Sequence, residues 1–193
     1  MFIRVFVNLS ITLFKVTLKS LQSFLIRSYK IACSDDSFIN VEDCIYVLSK
    51  VLVILFVEVK KFIIFADAVA KSMNIISLDV NYFMVQTLFR LLGNQRPVAL
   101  DFDPIEERVY WSDVAQGLII SAFFNATAAK ILFRCNVQNP DGLAIAHVAR
   151  NIYWTDTGTN RIEVARLDGT SRKLLIKDGL DQPRAIILDE RNG

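Results

Sequence analysis

Acid–base, nucleophilic and metal chemistry draw on clusters of His, Cys, Asp and Glu, and this 193-residue chain offers few. His147 is the only histidine, so a multi-histidine metal centre and a paired-imidazole mechanism are both excluded. A packed or partly exposed ring is the plain reading of His147. A pH-responsive one is the alternative, because imidazole titrates nearest physiological pH. The three cysteines, Cys33, Cys44 and Cys135, are an odd number and give no complete disulfide framework. Asp103 and Asp189 each stand six residues after a proline (Pro97 and Pro183), whereas Ala146 takes that place after Pro140. Carboxylates that recur once per structural unit normally accept backbone amides, so these are assigned to structure. No catalytic residue, metal ligand or cofactor is expected. A net charge of +2, without a basic–aromatic surface, points away from nucleic acid.

Two sequons are present, Asn125-Ala126-Thr127 and Asn8-Leu9-Ser10. The first falls in a predicted turn, which makes Asn125 the candidate glycosylation site. The second sits in an apolar run and carries little weight.

The elements that position these residues follow from a repeat. Tyr110-Trp111-Ser112-Asp113 and Tyr153-Trp154-Thr155-Asp156 start 43 residues apart, and Pro97, Pro140 and Pro183 keep the same interval. Asn160–Thr170 and Gly117–Thr127 match in frame, with Ile162 opposite Ile119, Leu167 opposite Phe124, and a turn of Asp-Gly-Thr or Asn-Ala-Thr behind them. Each unit therefore holds about four short strands with period-two alternation. Such a unit has two faces to cover and must stack on its neighbours, which points to a solenoid or propeller.

These residues resemble the YWTD propeller, the low-density-lipoprotein receptor class B repeat, and most of all the receptor-related proteins of the Wnt co-receptor type. Asp156–Val164 and Leu180–Ala185 carry the resemblance most strongly. It implies an all-β fold, a partial YWTD β-propeller of four-stranded antiparallel blades, about three of the six that the family uses. The structural signature residues are then Tyr110, Trp111, Asp113, Tyr153, Trp154 and Asp156.

In such a blade, the loop entering strand one and the loop leaving strand two lie at the same end. The family's partner-binding face is built from those loops, so the resemblance implies Val114, Ala115, Asn139, Asp141, Thr157, Gly158 and Arg184 as partner-binding candidates. Asp141 and Arg184 suit the family's acidic and arginine contacts. Asp141 reads equally well as a turn cap beside Pro140. Gly158 departs from the acidic residue that Wnt-pathway propellers often carry. The implied function is non-catalytic recognition of secreted protein ligands, Wnt-type ligands or their antagonists, on the extracellular side of the cell membrane. The parent receptor's anchor would lie outside this segment. An endocytic lipoprotein-receptor propeller is the alternative. A propeller hydrolase, needing a central cluster of metal-binding carboxylates and amides, is the rival from another class.

The resemblance runs from about residue 62. Ile64-Phe65-Ala66-Asp67 takes the signature's place, and the step from Asp67 to Asp113 is 46 residues, so an insertion is expected within Phe89–Gln95. Residues 62–95 read as a degenerate entering blade, 96–138 and 139–182 as full repeats, and 183–193 as the start of another. Residues 1–61 stay unassigned. All seven glycines and four prolines lie at or after Gly93, and turns need such residues. Residues 1–20 make a weak signal peptide, and 45–57 are too short an apolar run for a bilayer span. Cys33 and Cys44 are spaced as in an EGF-like remnant or are two unrelated thiols. The segment is thus either helical or membrane-associated sequence, or sequence foreign to the mature protein, and it is not expected to pack as part of the propeller.

Overall fold

A computed structural model describes residues 2–7, 51–57, 62–67, 69–77, 85–125 and 127–189. The Cys33–Cys44 pair, the Asn8 sequon, residues 45–50 and all but Phe2–Val7 of the signal-like stretch lie outside the described residues. Every described element is a β-strand, in the order β1 (Phe2–Val7), β2 (Val51–Val57), β3 (Phe62–Asp67), β4 (Ser72–Ser77), β5 (Val85–Arg90), β6 (Pro97–Asp103) and β7 (Arg108–Asp113). There follow β8 (Leu118–Phe123), β9 (Lys130–Phe133), β10 (Pro140–Ala146), β11 (Asn151–Asp156), β12 (Arg161–Arg166), β13 (Lys173–Ile176) and β14 (Pro183–Asp189). They form two compact units, Leu9–Leu91 and Met1–Asn8 with Leu92–Gly193.

In the first unit, β2-β3-β4-β5 make one four-stranded antiparallel sheet. Phe62 to Ala66 are five successive buried residues, so both faces of β3 are covered. The expected start of the repeats at Phe62 moves back to Val51, because β2 pairs with β3 along its whole length (Val57 opposite Phe62, Val51 opposite Asp67). Val51 stands 46 residues before Pro97, in step with β3 and β4, but without the proline that announces the later first strands.

The second unit contains the sheets β6-β7-β8-β9 and β10-β11-β12-β13, and the pair β1-β14. Pro97, Pro140 and Pro183 each open a seven-residue first strand. The distance from the end of an outer strand to the next proline is seven residues in all three cases (Arg90, Phe133 and Ile176). By register, however, Phe89 opposite Met73 takes the place of Phe133 opposite Ile119, so one extra residue lies between Phe89 and Pro97, where the insertion was expected. Ile75 lies opposite Gln86, 11 residues further on, where Ser121 lies opposite Lys130, nine further on, so the other two extra residues belong between β4 and β5. Phe2–Val7 pairs antiparallel with β14, which brings part of the 1–61 segment into a sheet that it was not expected to join.

The two full sheets pack face to face through an apolar layer. Ala99, Tyr110, Ile119, Phe133 and Val137 meet Leu143, Ile145, Ile152, Trp154, Ala165 and Leu167. Trp154 stacks on Phe133 at 4.8 Å between ring centroids, with 20° between planes. The Arg172 guanidinium closes this layer, 5.2 Å from the Trp154 ring and 5.3 Å from Phe133. It pairs with Glu163 at 2.7 Å and donates to the carbonyls of Cys135 and Asn136 at 2.6 and 3.1 Å. The other face of the β10-β11-β12-β13 sheet holds Tyr153, Ile162, Ala144 and Ala146 against Ile186. Adjacent residues of β11 thus serve opposite interfaces, as the two-residue period of a strand requires.

Removing a buried tryptophan costs about 3–5 kcal/mol, while an exposed side chain away from special features costs within about 0.5 kcal/mol. Trp154→Ala is expected to lower the urea midpoint and the secreted yield sharply, and Leu174→Ala, 47% exposed, to leave both near wild type. Equal effects would show that the stacked layer does not hold the sheets together.

Candidate functional site

The end of the second strand is organised by one buried carboxylate. Asp156, fully buried, accepts from the amides of Gln138 (2.8 Å), Asn139 (3.1 Å), Gly158 (2.9 Å) and Thr159 (3.1 Å). The first two amides belong to the loop entering β10, the last two to the loop leaving β11. Thr157 completes the junction by donating its amide to the Asn139 carbonyl at 3.0 Å. Asp113 does the same one repeat earlier, accepting from Arg96 and Ala115, each at 2.9 Å, while Val114 donates to the Arg96 carbonyl. Asp67 keeps half of the pattern, accepting from Val69 and Ala70. A hydrogen bond to an ionised acceptor is roughly twice as strong as a neutral one, so this aspartate ties two loops to one strand end.

Asn139, Thr157 and Gly158 are therefore brought together, and Val114 and Ala115 form the matching corner of the preceding sheet. Asn139, Ala115, Gly158 and Arg184 are exposed; Val114, Asp141 and Thr157 are half-buried. Gly158 has a packing reason to lack a side chain: an added Cβ would fall 2.7 Å from Gln138 Cβ. Asp141 and Arg184 meet directly, Nη1 to Oδ2 at 3.0 Å, with Arg184 46% exposed. Their closeness has a backbone cause. The register slips between Pro140 and Gly142, so Asp141 is the extra residue of a bulge, a device that re-aims a side chain. The same slip follows Val51 and Pro97. Gly142 lets the β14 backbone pass close by, since a Cβ there would collide with the Arg184 carbonyl oxygen. That carbonyl also accepts from the Thr155 hydroxyl.

At the opposite end of the sheets, Asp103 accepts from the Ile105 and Glu106 amides at 3.2 and 3.3 Å. Arg150 of the next repeat reaches it at 2.7 Å and Glu106 at 2.6 Å. Burial pushes the Asp103 carboxyl up, but the Arg150 hydrogen bond, the two amides and the guanidinium charge together outweigh it and hold the pKa below the ordinary aspartate value. The hydrogen bond to Asp103 in turn raises the Arg150 pKa above its ordinary value. His147 is 36% exposed, with Nδ1 3.9 Å from Asp103, which makes it a partly exposed ring at a contact between repeats. Asp101 adds a second tie by accepting from the Ile145 amide of the neighbouring first strand at 2.8 Å. Sequence reasoning singled out neither Arg150, Arg172 nor Asp101. A carboxylate within an apolar first strand was the one signal, and it marked Asp101. Asn125 lies exposed in the β8–β9 turn, its side-chain oxygen accepting from the Thr127 amide and hydroxyl.

Residues 107–147 and 150–190 match the family model for the low-density lipoprotein receptor repeat class B. These two stretches are class B repeats. Over 70 residues, 36% of this chain, the sequence is 46% identical to low-density lipoprotein receptor-related protein 5 of Mus musculus and of Homo sapiens. It is 28% identical over 124 residues to Protein cueball of Drosophila yakuba, covering 60% of this chain. The chain spans 4% of the first two relatives and 19% of the third. A solved structure described as the crystal structure of a nidogen/laminin complex superposes with a TM-score of 0.55 at 30% identity, over 60% of this chain and 44% of that one. The class B repeats here are blades of the YWTD β-propeller type, all-β and four-stranded, as their sequence led one to expect.

The Asp103–Arg150 contact sets a pH dependence. A carboxylate whose folded pKa is depressed adds stability that is complete above its unfolded pKa and is lost as pH falls through the folded one. Arg150→Ala removes the guanidinium hydrogen bond and charge, leaving burial, which raises the pKa, opposed by the Ile105 and Glu106 amides alone. It is expected to cost about 1–3 kcal/mol near neutral pH and to make acid unfolding begin at higher pH. Urea midpoints measured from neutral to acid pH check this, and parallel curves for the variant and the parent would contradict it.

Proposed function

We propose that this chain is an extracellular protein-binding segment of a low-density-lipoprotein receptor-related receptor of the Wnt co-receptor type, and that it acts without catalysis. The proposed partners are secreted proteins, Wnt-type ligands or their antagonists, and the proposed place is the outer side of the cell membrane. The observation that carries the reading is the Asp141–Arg184 pair, presented half-exposed at the end of the sheet that also gathers Asn139, Thr157 and Gly158. The 46% identity to low-density lipoprotein receptor-related protein 5 supports the receptor type.

Two further features suit this use. The loops that carry the proposed face are tied to buried aspartates, so less ordering cost attends binding. Asn125 lies in a turn at the opposite end of its sheet, where a glycan leaves the face clear. The endocytic reading would use a titrating ring at the ligand face. His147 instead lies at the other end, beside Asp103.

Truncating an arginine anchor of an interface costs about 2 kcal/mol or more, roughly 30-fold in affinity. Arg184→Ala, made in a receptor that carries this segment, is expected to weaken binding of a secreted Wnt-pathway ligand or antagonist by that factor with secretion unchanged. Surface plasmon resonance gives the answer, and unchanged affinity for every ligand tested puts the face elsewhere. Protein secreted from animal cells is also expected to lose one glycan's mass on amidase treatment. Asn125→Gln should abolish that shift, and a shift surviving in the variant would assign the glycan to another site.

A further inference from the structure

The loops that enter β6 and β10 share a plan and differ by one residue. Counted back from Pro97 and Pro140, Gly93 matches Asn136, both with positive φ (60° and 54°), and Gln95 matches Gln138. Counted forward from Phe89 and Phe133, which hold equivalent register positions, Gly93 is four residues on and Asn136 three. One residue of Arg90–Leu92 is therefore extra. Leu91 is buried and donates its amide to the Lys71 carbonyl at 2.8 Å, whereas Leu92 is 74% exposed, which makes Leu92 the added residue.

The addition changes where one amide goes. The Gln138 amide donates to Asp156 Oδ2 at 2.8 Å, but the Gln95 amide donates to the Leu92 carbonyl at 3.4 Å. The Leu92 amide in turn donates to Gln95 Oε1 at 3.2 Å, closing a small ring on the added residue. Asp113 Oδ2, the atom that matches Asp156 Oδ2, is buried and has no hydrogen-bond partner among the described residues. A buried carboxylate oxygen without a donor is costly, and both bonds of the ring are long, so little holds the amide away from the carboxylate. The restraints that fix the other loop are also missing here. Val137 is buried in the apolar layer, and its match Asn94 is exposed. Arg172 grips the Cys135 and Asn136 carbonyls, and its match is the exposed Ala129.

We propose that Leu92–Gln95 is a strap with two states. In the first the Gln95 amide rests on the Leu92 carbonyl. In the second, closed state it donates to Asp113 Oδ2, as Gln138 does to Asp156, and the ring on Leu92 opens. Asp113 Oδ1 keeps the Arg96 and Ala115 amides in both, so the strap moves without unmaking the corner. It adjoins Arg96, whose carbonyl accepts from the Val114 amide, and so gives the Val114–Ala115 corner two shapes where the corner at Asn139 and Gly158 has one. The strap is a property of the fold and does not depend on the proposed partner.

NMR relaxation dispersion on the full chain reads the switch, because exchange between such states falls in the microsecond-to-millisecond range. Dispersion is expected at the amides of Leu92–Gln95 and not at those of Asn136–Asn139. Asp113→Asn puts a donor where the waiting acceptor stands. It should flatten the dispersion while the Arg96 and Ala115 amides stay protected from hydrogen exchange. Deleting Leu92 gives Phe89 and Pro97 the spacing of Phe133 and Pro140. The deletion is expected to lock the closed state, slowing hydrogen exchange of the Gln95 amide by at least about tenfold, and to have no such effect in the Asp113→Asn chain. Should the shortened chain not fold, the dispersion of the parent and of Asp113→Asn decides the matter. A flat profile at Leu92–Gln95 in the parent, dispersion that survives Asp113→Asn, or unchanged Gln95 exchange in a folded chain lacking Leu92 would each overturn the proposal.

Discussion

Each four-stranded unit in this chain is apolar on both faces, and that constraint shapes the rest. A lone sheet of this kind would leave a row of buried-type residues in water, so its stability is shared with a neighbour. Tyr153 and Trp154, adjacent in β11, cover both sides between them. Tyr153 lines the layer toward β14, and Trp154 lines the layer toward Phe133. The polar residues at the margin follow the same logic. Arg172 lies over the Trp154–Phe133 stack while its charge is matched by Glu163 and two carbonyls, which allows a cation to sit at the rim of an apolar layer.

The buried carboxylates act on backbone. Asp113 and Asp156 collect amides from two loops, and Asp103 collects amides and a guanidinium from the next repeat. A carboxylate is suited to this because it accepts several hydrogen bonds and repays its burial only when they are made. Rigid loop corners result at one end of the sheets and a cross-repeat latch at the other. The proposed recognition face inherits its shape from the first of these, since Asn139, Thr157 and Gly158 are held by the same aspartate.

The first unit shows how far a repeat can drift and keep its form. Its first strand opens on Val51 in place of proline, its signature reads Ile64-Phe65-Ala66-Asp67, and it carries three extra residues, two between β4 and β5 and one between β5 and Pro97. The strand register and the bulge after the first residue survive all three changes. Main-chain pairing tolerates replacement of one apolar side chain by another, provided the alternation that selects a face is kept.

Period, strand content and repeat family were determined by the sequence itself. The 43-residue spacing of proline, aromatic and turn residues is a local pattern, and a strand's two-residue period turns it directly into faces. The same spacing placed Asn139 with Thr157 and Asp141 near Arg184, because topology follows from strand order. Tertiary structure decided the matters that depend on which groups meet across the chain. It set the start of the first sheet at Val51, where no proline marks it, and the register of Phe2–Val7 on β14. It also paired Arg150 with Asp103, Arg172 with Glu163, and Arg184 with Asp141. A charged side chain's partner depends on distances that spacing alone does not contain, and a bulge of one residue is enough to choose it.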